Sequence, residues 1–167
     1  MKKSIVAIVL AMLVVAGGVV IAVMKFSGES SAMKAGECVA VANHNEDRAD
    51  VTTTACGSDK AVFKVGKILT EAAGNCPDVV DEYTSVVPNA GGGKLCLLPN
   101  FLEGGCYKPD DTDDSWGKSS CAGEDTVKVT KVLSGVTDGT GCPDSETGQD
   151  MAFPEPPITY CLSPVKP

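Results

Sequence analysis

Eight cysteines, Cys38, Cys56, Cys76, Cys96, Cys106, Cys121, Cys142 and Cys161, are the residues of this chain whose chemistry and spacing say most. Thiols serve as nucleophiles, metal ligands, redox couples or halves of disulfides. No two of these stand at the two-residue gap of a zinc ribbon or a thiol-redox pair. An even number in an acidic chain is instead the pattern of a disulfide framework. All eight are expected to be structural and oxidised, and no catalytic, cofactor-binding or metal-ligating residue is expected among them.

The remaining candidates are few. His44, in VANHNEDRAD, is the only histidine. A base-assisted nucleophile would have no second imidazole to draw on, and His44 is expected to be a solvated loop residue. The run Asp110-Asp111-Thr112-Asp113-Asp114 offers hard oxygens that suit extracellular calcium. Counted as a calcium loop from Asp111, it places Trp116 where glycine is needed and Ala122 where a bidentate glutamate belongs. A solvated acidic loop is the expectation, with Trp116 a core or hairpin residue rather than a platform for ligands. Asp78 and Asp144 each follow Cys-Pro, where a short carboxylate normally bonds to turn amides rather than acting as one of an acid–base pair.

These residues belong to landmarks that occur twice. Gly36-Glu37-Cys38 corresponds to Gly104-Gly105-Cys106, KVGKIL (64–69) to KVTKVL (128–133), Cys76-Pro77-Asp78 to Cys142-Pro143-Asp144, and CLLP (96–99) to CLSP (161–164). Order is kept throughout, which points to a duplicated module of about 65 residues, the length scale of internal repeats. The modules are expected at 36–100 and 105–167, with a short junction at 101–104. Within them AVFKVGKIL (61–69) and TVKVTKVL (126–133) alternate apolar with polar residues, as half-buried strands do, and their lysines are expected to face solvent. VTTTAC (51–56), EYTSVV (82–87), KLCLL (94–98) and ITYCL (158–162) also favour strands, and PDVVDEY (77–83) at most one helical turn. Gly91-Gly92-Gly93 marks a turn whose counterpart is the proline-rich FPEPP (153–157).

A module of this size with few aromatics buries too little apolar surface to offset its chain entropy with ease. Covalent staples supply the difference. Eight cysteines allow 105 pairings, and sequence does not choose among them. The set Cys38 with Cys56, Cys76 with Cys96, Cys106 with Cys121 and Cys142 with Cys161 is preferred, because every bond is local and both modules use one scheme. Each such loop contributes about 3 kcal/mol on the chain-entropy account.

Ahead of the modules, residues 5–24 form an unbroken apolar run after Lys2 and Lys3. As a helix it is long enough to cross the hydrocarbon layer of roughly 30 Å. It exceeds the apolar core of most cleaved signal peptides, although a small-residue site at Ser30-Ser31-Ala32 keeps cleavage as the alternative. The basic tip at 1–4 is expected in the cytoplasm, followed by the span at 5–24, a linker at 25–35 and the modules outside the cell. Setting aside Lys2, Lys3 and Lys25 leaves 11 of the 14 basic residues against all 22 acidic ones, a formal charge of −11. Such a balance argues against nucleic acid as a partner. Gly18 with Ala22 and Ala7 with Ala11 have the small-xxx-small spacing that lets membrane helices pair into a homodimer.

The motifs GEC, ACGSDKAVFKV, CPD and KLCLLPN resemble the LppU-type proteins of actinobacterial cell envelopes. The second module retains GGC, KVTKVL, GCPD and YCLSP. The resemblance implies a secreted or membrane-attached envelope protein of unassigned biochemical role. It supplies no catalytic motif, and the lipid-bearing N-terminal cysteine of many relatives is absent here. The expected molecule is mostly β: an N-terminal transmembrane helix followed by two tandem, disulfide-stapled β modules. Its expected role is non-catalytic, binding or scaffolding an exported or envelope protein without a cofactor or metal. A cell-surface thiol oxidoreductase or other enzyme, and a calcium-dependent adhesion module, are the alternatives.

Overall fold

A computed structural model describes residues 33–45, 47–78, 83–110, 115–143 and 148–166. The expected membrane helix at 5–24, its small-residue pairs, the alternative cleavage site, most of the Asp110–Asp114 run and Asp144 lie outside these residues. Among the described residues no helix is long and apolar enough to cross a membrane.

The alternating and β-branched stretches fold as strands. In order they are β1 (Cys38–Asn45), β2 (Arg48–Thr53), β3 (Phe63–Leu69), β4 (Thr84–Pro88), β5 (Lys94–Pro99), β6 (Cys106–Asp110), β7 (Ser115–Ser119), β8 (Val127–Ser134), β9 (Gln149–Pro154) and β10 (Pro157–Pro164). One 3-10 turn, Gly139–Gly141, precedes Cys142, with the Asp138 carboxylate accepting the Thr140 amide at its start. The first five strands close into a barrel ordered β1-β2-β4-β5-β3. All its ladders are antiparallel except β2 with β4, which pairs Arg48 with Val87 and Ala49 with Pro88. Asp50 reinforces that closure by accepting from the Asn43 and Asn89 side-chain amides at 2.7 and 2.9 Å. The last five form a sheet ordered β7-β6-β8-β10-β9.

Local backbone features recur between barrel and sheet. β3 is bulged at Gly66, between Val65 opposite Leu97 and Lys67 opposite Cys96. β8 is bulged at Thr130, between Val129 opposite Leu162 and Lys131 opposite Cys161. The Gly36 amide donates to Val65 O at 2.7 Å, and the Gly104 amide to Val129 O at 2.8 Å. Both glycines have left-handed backbones, φ 88° and 82°, which a side chain would oppose. Disulfides join Cys38 to Cys56, Cys76 to Cys96, Cys106 to Cys121 and Cys142 to Cys161, the local scheme, over 15 to 20 residues.

The unbroken apolar run in β5 has a direct physical cause, since both faces of that strand are covered. Leu95 and Leu97 point into the barrel with Val39, Val65 and Val86. Cys96 and Leu98 point out of it, into a second core built with Phe101, Tyr107, Phe153 and Tyr160. A fully buried strand shows no alternation. Residues 33–167 accordingly form one compact unit.

Six of the chain's eight aromatic residues line this shared core or pack against it. Phe101 is the hub, with ring centroids 4.5 Å from Tyr107, 5.1 Å from Tyr160 and 5.4 Å from Trp116. Tyr83 meets Phe153 edge to face at 5.1 Å. Polar ties cross the same boundary. The Tyr160 hydroxyl donates to Pro99 O at 2.8 Å. The Tyr83 hydroxyl donates to Glu155 O at 2.8 Å and accepts the Glu155 amide at 3.0 Å. The short stretch between the two β bodies thus contributes the ring with the most aromatic contacts among the described residues.

That covering also corrects the expectation that the strand lysines face solvent. Lys128 and Lys131 on β8 are exposed, whereas Lys64 and Lys67 on β3 are half-buried. Lys67 Nζ pairs with Glu155 Oε1 at 2.9 Å. Burial holds the Lys64 ammonium below its ordinary pKa. Barrel strand β3 lies beside the second body through Gly66 and Lys67.

The buried phenols set an alkaline limit on stability. Burial raises Tyr160 above the usual tyrosine range, with the Tyr107 phenol adding to it, and burial raises Tyr83 as well. Below the unfolded value of about 10, both rings are neutral whether the chain is folded or not. Above it the unfolded chain loses these protons first, so folding weakens as pH climbs. Denaturant midpoints are expected to be insensitive to phenol ionisation up to about pH 10 and to fall beyond it. In Tyr160→Phe the fall is expected to be shallower, alongside a loss of about 1 kcal/mol at neutral pH from the missing bond to Pro99.

Candidate functional site

β1 runs past the start of β3, and its far end, with the start of β4, forms the rim of one barrel mouth. Val41, Phe63, Val86 and Leu97 form an apolar floor there. Asn43, His44 and Thr84 stand around it. The hairpin of β6 and β7 supplies the opposite wall through Asp110, Ser115 and Trp116. The space enclosed is about 260 Å³. Mouths of β-barrels are among the places where ligand sites are most often built.

Both walls belong to cross-linked elements. The barrel side is held by its closed ladder and by Cys38–Cys56. The hairpin side is held by Cys106–Cys121 and by the edge-to-face contact of Trp116 on Phe101. Asn43 takes a left-handed backbone, φ 51°, with its amide nitrogen bonded to Asp50. The Asn43 and Asn89 amides hold the Asp50 carboxyl below its ordinary value. Among the described residues no lysine or arginine lines the cleft.

The sole histidine and sole tryptophan of the chain therefore meet at one cleft, from residues far apart in sequence. His44 lies at the end of strand β1 rather than in a loop, and it is exposed as expected. Trp116 is a half-buried hairpin residue that also forms part of the cleft wall. His44, Ser115 and Asp110 are residue types of a hydrolytic triad, and all three line the cleft. Asp78 is exposed and far in the chain from any of these groups. All eight cysteines are bonded in pairs, leaving no free thiol. Among the described residues no group of three or more histidine, cysteine or acidic side chains could hold a metal ion. The signal for the cleft in the sequence was slight: two residue types used once each, in segments that read as loop and turn.

Fold and site together define a disulfide-stapled, mostly β protein with a ligand-sized cleft between a barrel and a sheet. Comparison with known proteins finds no matching family model, and neither a curated protein nor a solved structure matches the chain.

Proposed function

We propose that this is a non-catalytic, exported binding protein of the cell envelope, similar to the LppU type, anchored through residues 5–24 with the β bodies outside the cell. The observation that carries the reading is the oxidation of every cysteine into four local bonds, which disfavours a reducing compartment and a thiol-based reaction alike. The matching strand order, bulges and disulfide spacings favour descent of 36–100 and 105–167 from one duplicated module, later fused through a shared core. A binding role fits the cleft, whose walls belong to elements each tied by a disulfide. The partner in the envelope is an exported component, and the anchor helix pairs with a second copy through its small residues.

Two measurements on the full chain in its membrane test this. Thiol titration without reductant is expected to find no reactive sulfhydryl before reduction and eight after it. Lys128 and Lys131 are exposed, and a membrane-impermeant amine reagent is expected to label them on intact cells. Two or more thiols reactive before reduction would restore the oxidoreductase reading. Labelling that needs lysis would place the β bodies inside the cell.

A further inference from the structure

The cleft at the barrel mouth has a chemistry that selects among ligands. Its volume of about 260 Å³ lies below the roughly 300–1,000 Å³ common for drug-sized molecules, so it admits a single ring. Its floor is apolar and one wall carries an indole. Around the opening stand the Asn43 amide, the Thr84 and Ser115 hydroxyls and the His44 imidazole, each able to donate or accept.

Anions are disfavoured, because no described lysine or arginine lines the cleft, Asp110 does, and the chain carries a net charge of −8. A purely apolar ligand would strip water from the amide, hydroxyls and imidazole and give nothing in return. A ring with one C–H face and hydroxyls around its edge meets both demands. We infer that the cleft between the barrel mouth and the β6–β7 hairpin binds a neutral polyhydroxylated ring the size of one hexose, stacked on Trp116 and hydrogen-bonded through Asn43, His44, Thr84 and Ser115. This deepens the binding reading above and rests on it.

The indole is the wall against which the ring lies, as aromatic faces serve elsewhere for flat, weakly polar surfaces. The rim groups distinguish hydroxyls from bare hydrocarbon, since a polar site rejects a ligand that leaves it unpaired. Because the two walls come from different β bodies, the site exists only while barrel and sheet are docked.

Trp116 is the only tryptophan, so its emission reports the cleft directly. The oxidised chain is titrated with methyl glucoside and with methyl N-acetylglucosaminide, then with tetramethylammonium and cyclohexanol. At least one glycoside is expected to change the emission saturably with a Kd of about 1–10 mM, the strength expected of so few atoms. Thr84→Val, which keeps the shape and suits a strand, is expected to weaken it about tenfold, and Ser115→Ala similarly, with unchanged melting temperatures. A flat response to both glycosides overturns the inference, as does undiminished affinity in both variants. Saturation by tetramethylammonium or cyclohexanol in place of the glycosides also overturns it but leaves the binding reading standing, whereas reactive thiols in the oxidised chain count against that reading itself.

Discussion

Gly66→Ala is expected to destabilise the folded chain by about 3 kcal/mol, the upper part of the range for overpacking, although it adds one methyl group. A Cβ at this bulge would sit 2.6 Å from Glu155 O, 2.6 Å from Tyr83 Cε1 and 2.9 Å from Cys96 O. Two of these neighbours are backbone oxygens, which cannot swing aside as a side chain can. Tyr83 is pinned as well, since its hydroxyl both donates to and accepts from Glu155. Relief therefore requires the β9–β10 turn to lift away from the barrel, breaking those bonds and the Lys67–Glu155 pair together. Gly57→Ala is the control, because nothing lies within 4 Å of the position its Cβ would take. Guanidinium unfolding with all four disulfides intact measures the difference. A midpoint for Gly66→Ala equal to that of Gly57→Ala would show that the turn is not pressed against the bulge.

The matching position on β8 explains why that glycine matters. Thr130 occupies the second bulge, exposed, with its hydroxyl donating to Cys161 O at 3.0 Å. Among the described residues no turn packs on it as the Glu155 turn packs on Gly66. Next to it, Gly148 holds the register position that Tyr83 holds beside the barrel, two residues before the partner of the bulge-side cysteine in each ladder. A hollow of about 460 Å³ is lined there by Thr130, Cys142, Gly148 and Cys161. KVGKIL and KVTKVL thus differ at the bulge residue itself, glycine under the Glu155 turn and threonine on β8.

What could be seen beforehand follows from the range of the interactions involved. The strands around AVFKVGKIL, KLCLL, TVKVTKVL and ITYCL declare themselves through local alternation and β-branching, and the cysteine pairs through short loops. β1 is harder, because VANHN reads as polar loop and becomes a strand through its ladders to β2 and β3. β6, β7 and β9 are likewise fixed by neighbours: CYKPD carries a proline, SWGKS a glycine and QDMAFP two acidic or amide residues at its start. Tertiary pairing overrides such weak propensities. The cleft was invisible for the same reason. Val41, Thr84 and Trp116 are unremarkable where they stand, and only barrel closure and hairpin docking make them neighbours. The unbroken KLCLL was the one available hint of two cores, since an exposed outer face would have shown polar residues.

Phe101→Ala is expected to cost about 4 kcal/mol, at the level of aromatic deletions from well-packed cores. The residue is 2 % exposed, and its ring touches three others, two of them edge to face. Area alone accounts for part of the loss. Each aromatic contact adds about 0.5–1.5 kcal/mol beyond burial, and the cavity left behind lies among rings held by their own hydrogen bonds. Tyr160 is tied to Pro99 O and Tyr107 accepts the Leu102 amide, so neither can collapse freely into the space. Disulfides do not compensate, because all four lie within the barrel region or within the second sheet and none crosses between them. Non-covalent packing around Phe101, with the Tyr83–Glu155 bonds and the Lys67–Glu155 pair, joins the two bodies once the chain has passed from β5 to β6. Trp116 would lose the ring against which it is packed, so its emission in the folded state is expected to shift to the red as water reaches the indole. Unfolding followed by Trp116 emission and by far-ultraviolet dichroism is expected to coincide in the parent chain and to separate in Phe101→Ala, with the aromatic boundary lost at lower denaturant than the strands. Coincident transitions with an unchanged midpoint would mean that barrel and sheet are held together by something other than this cluster.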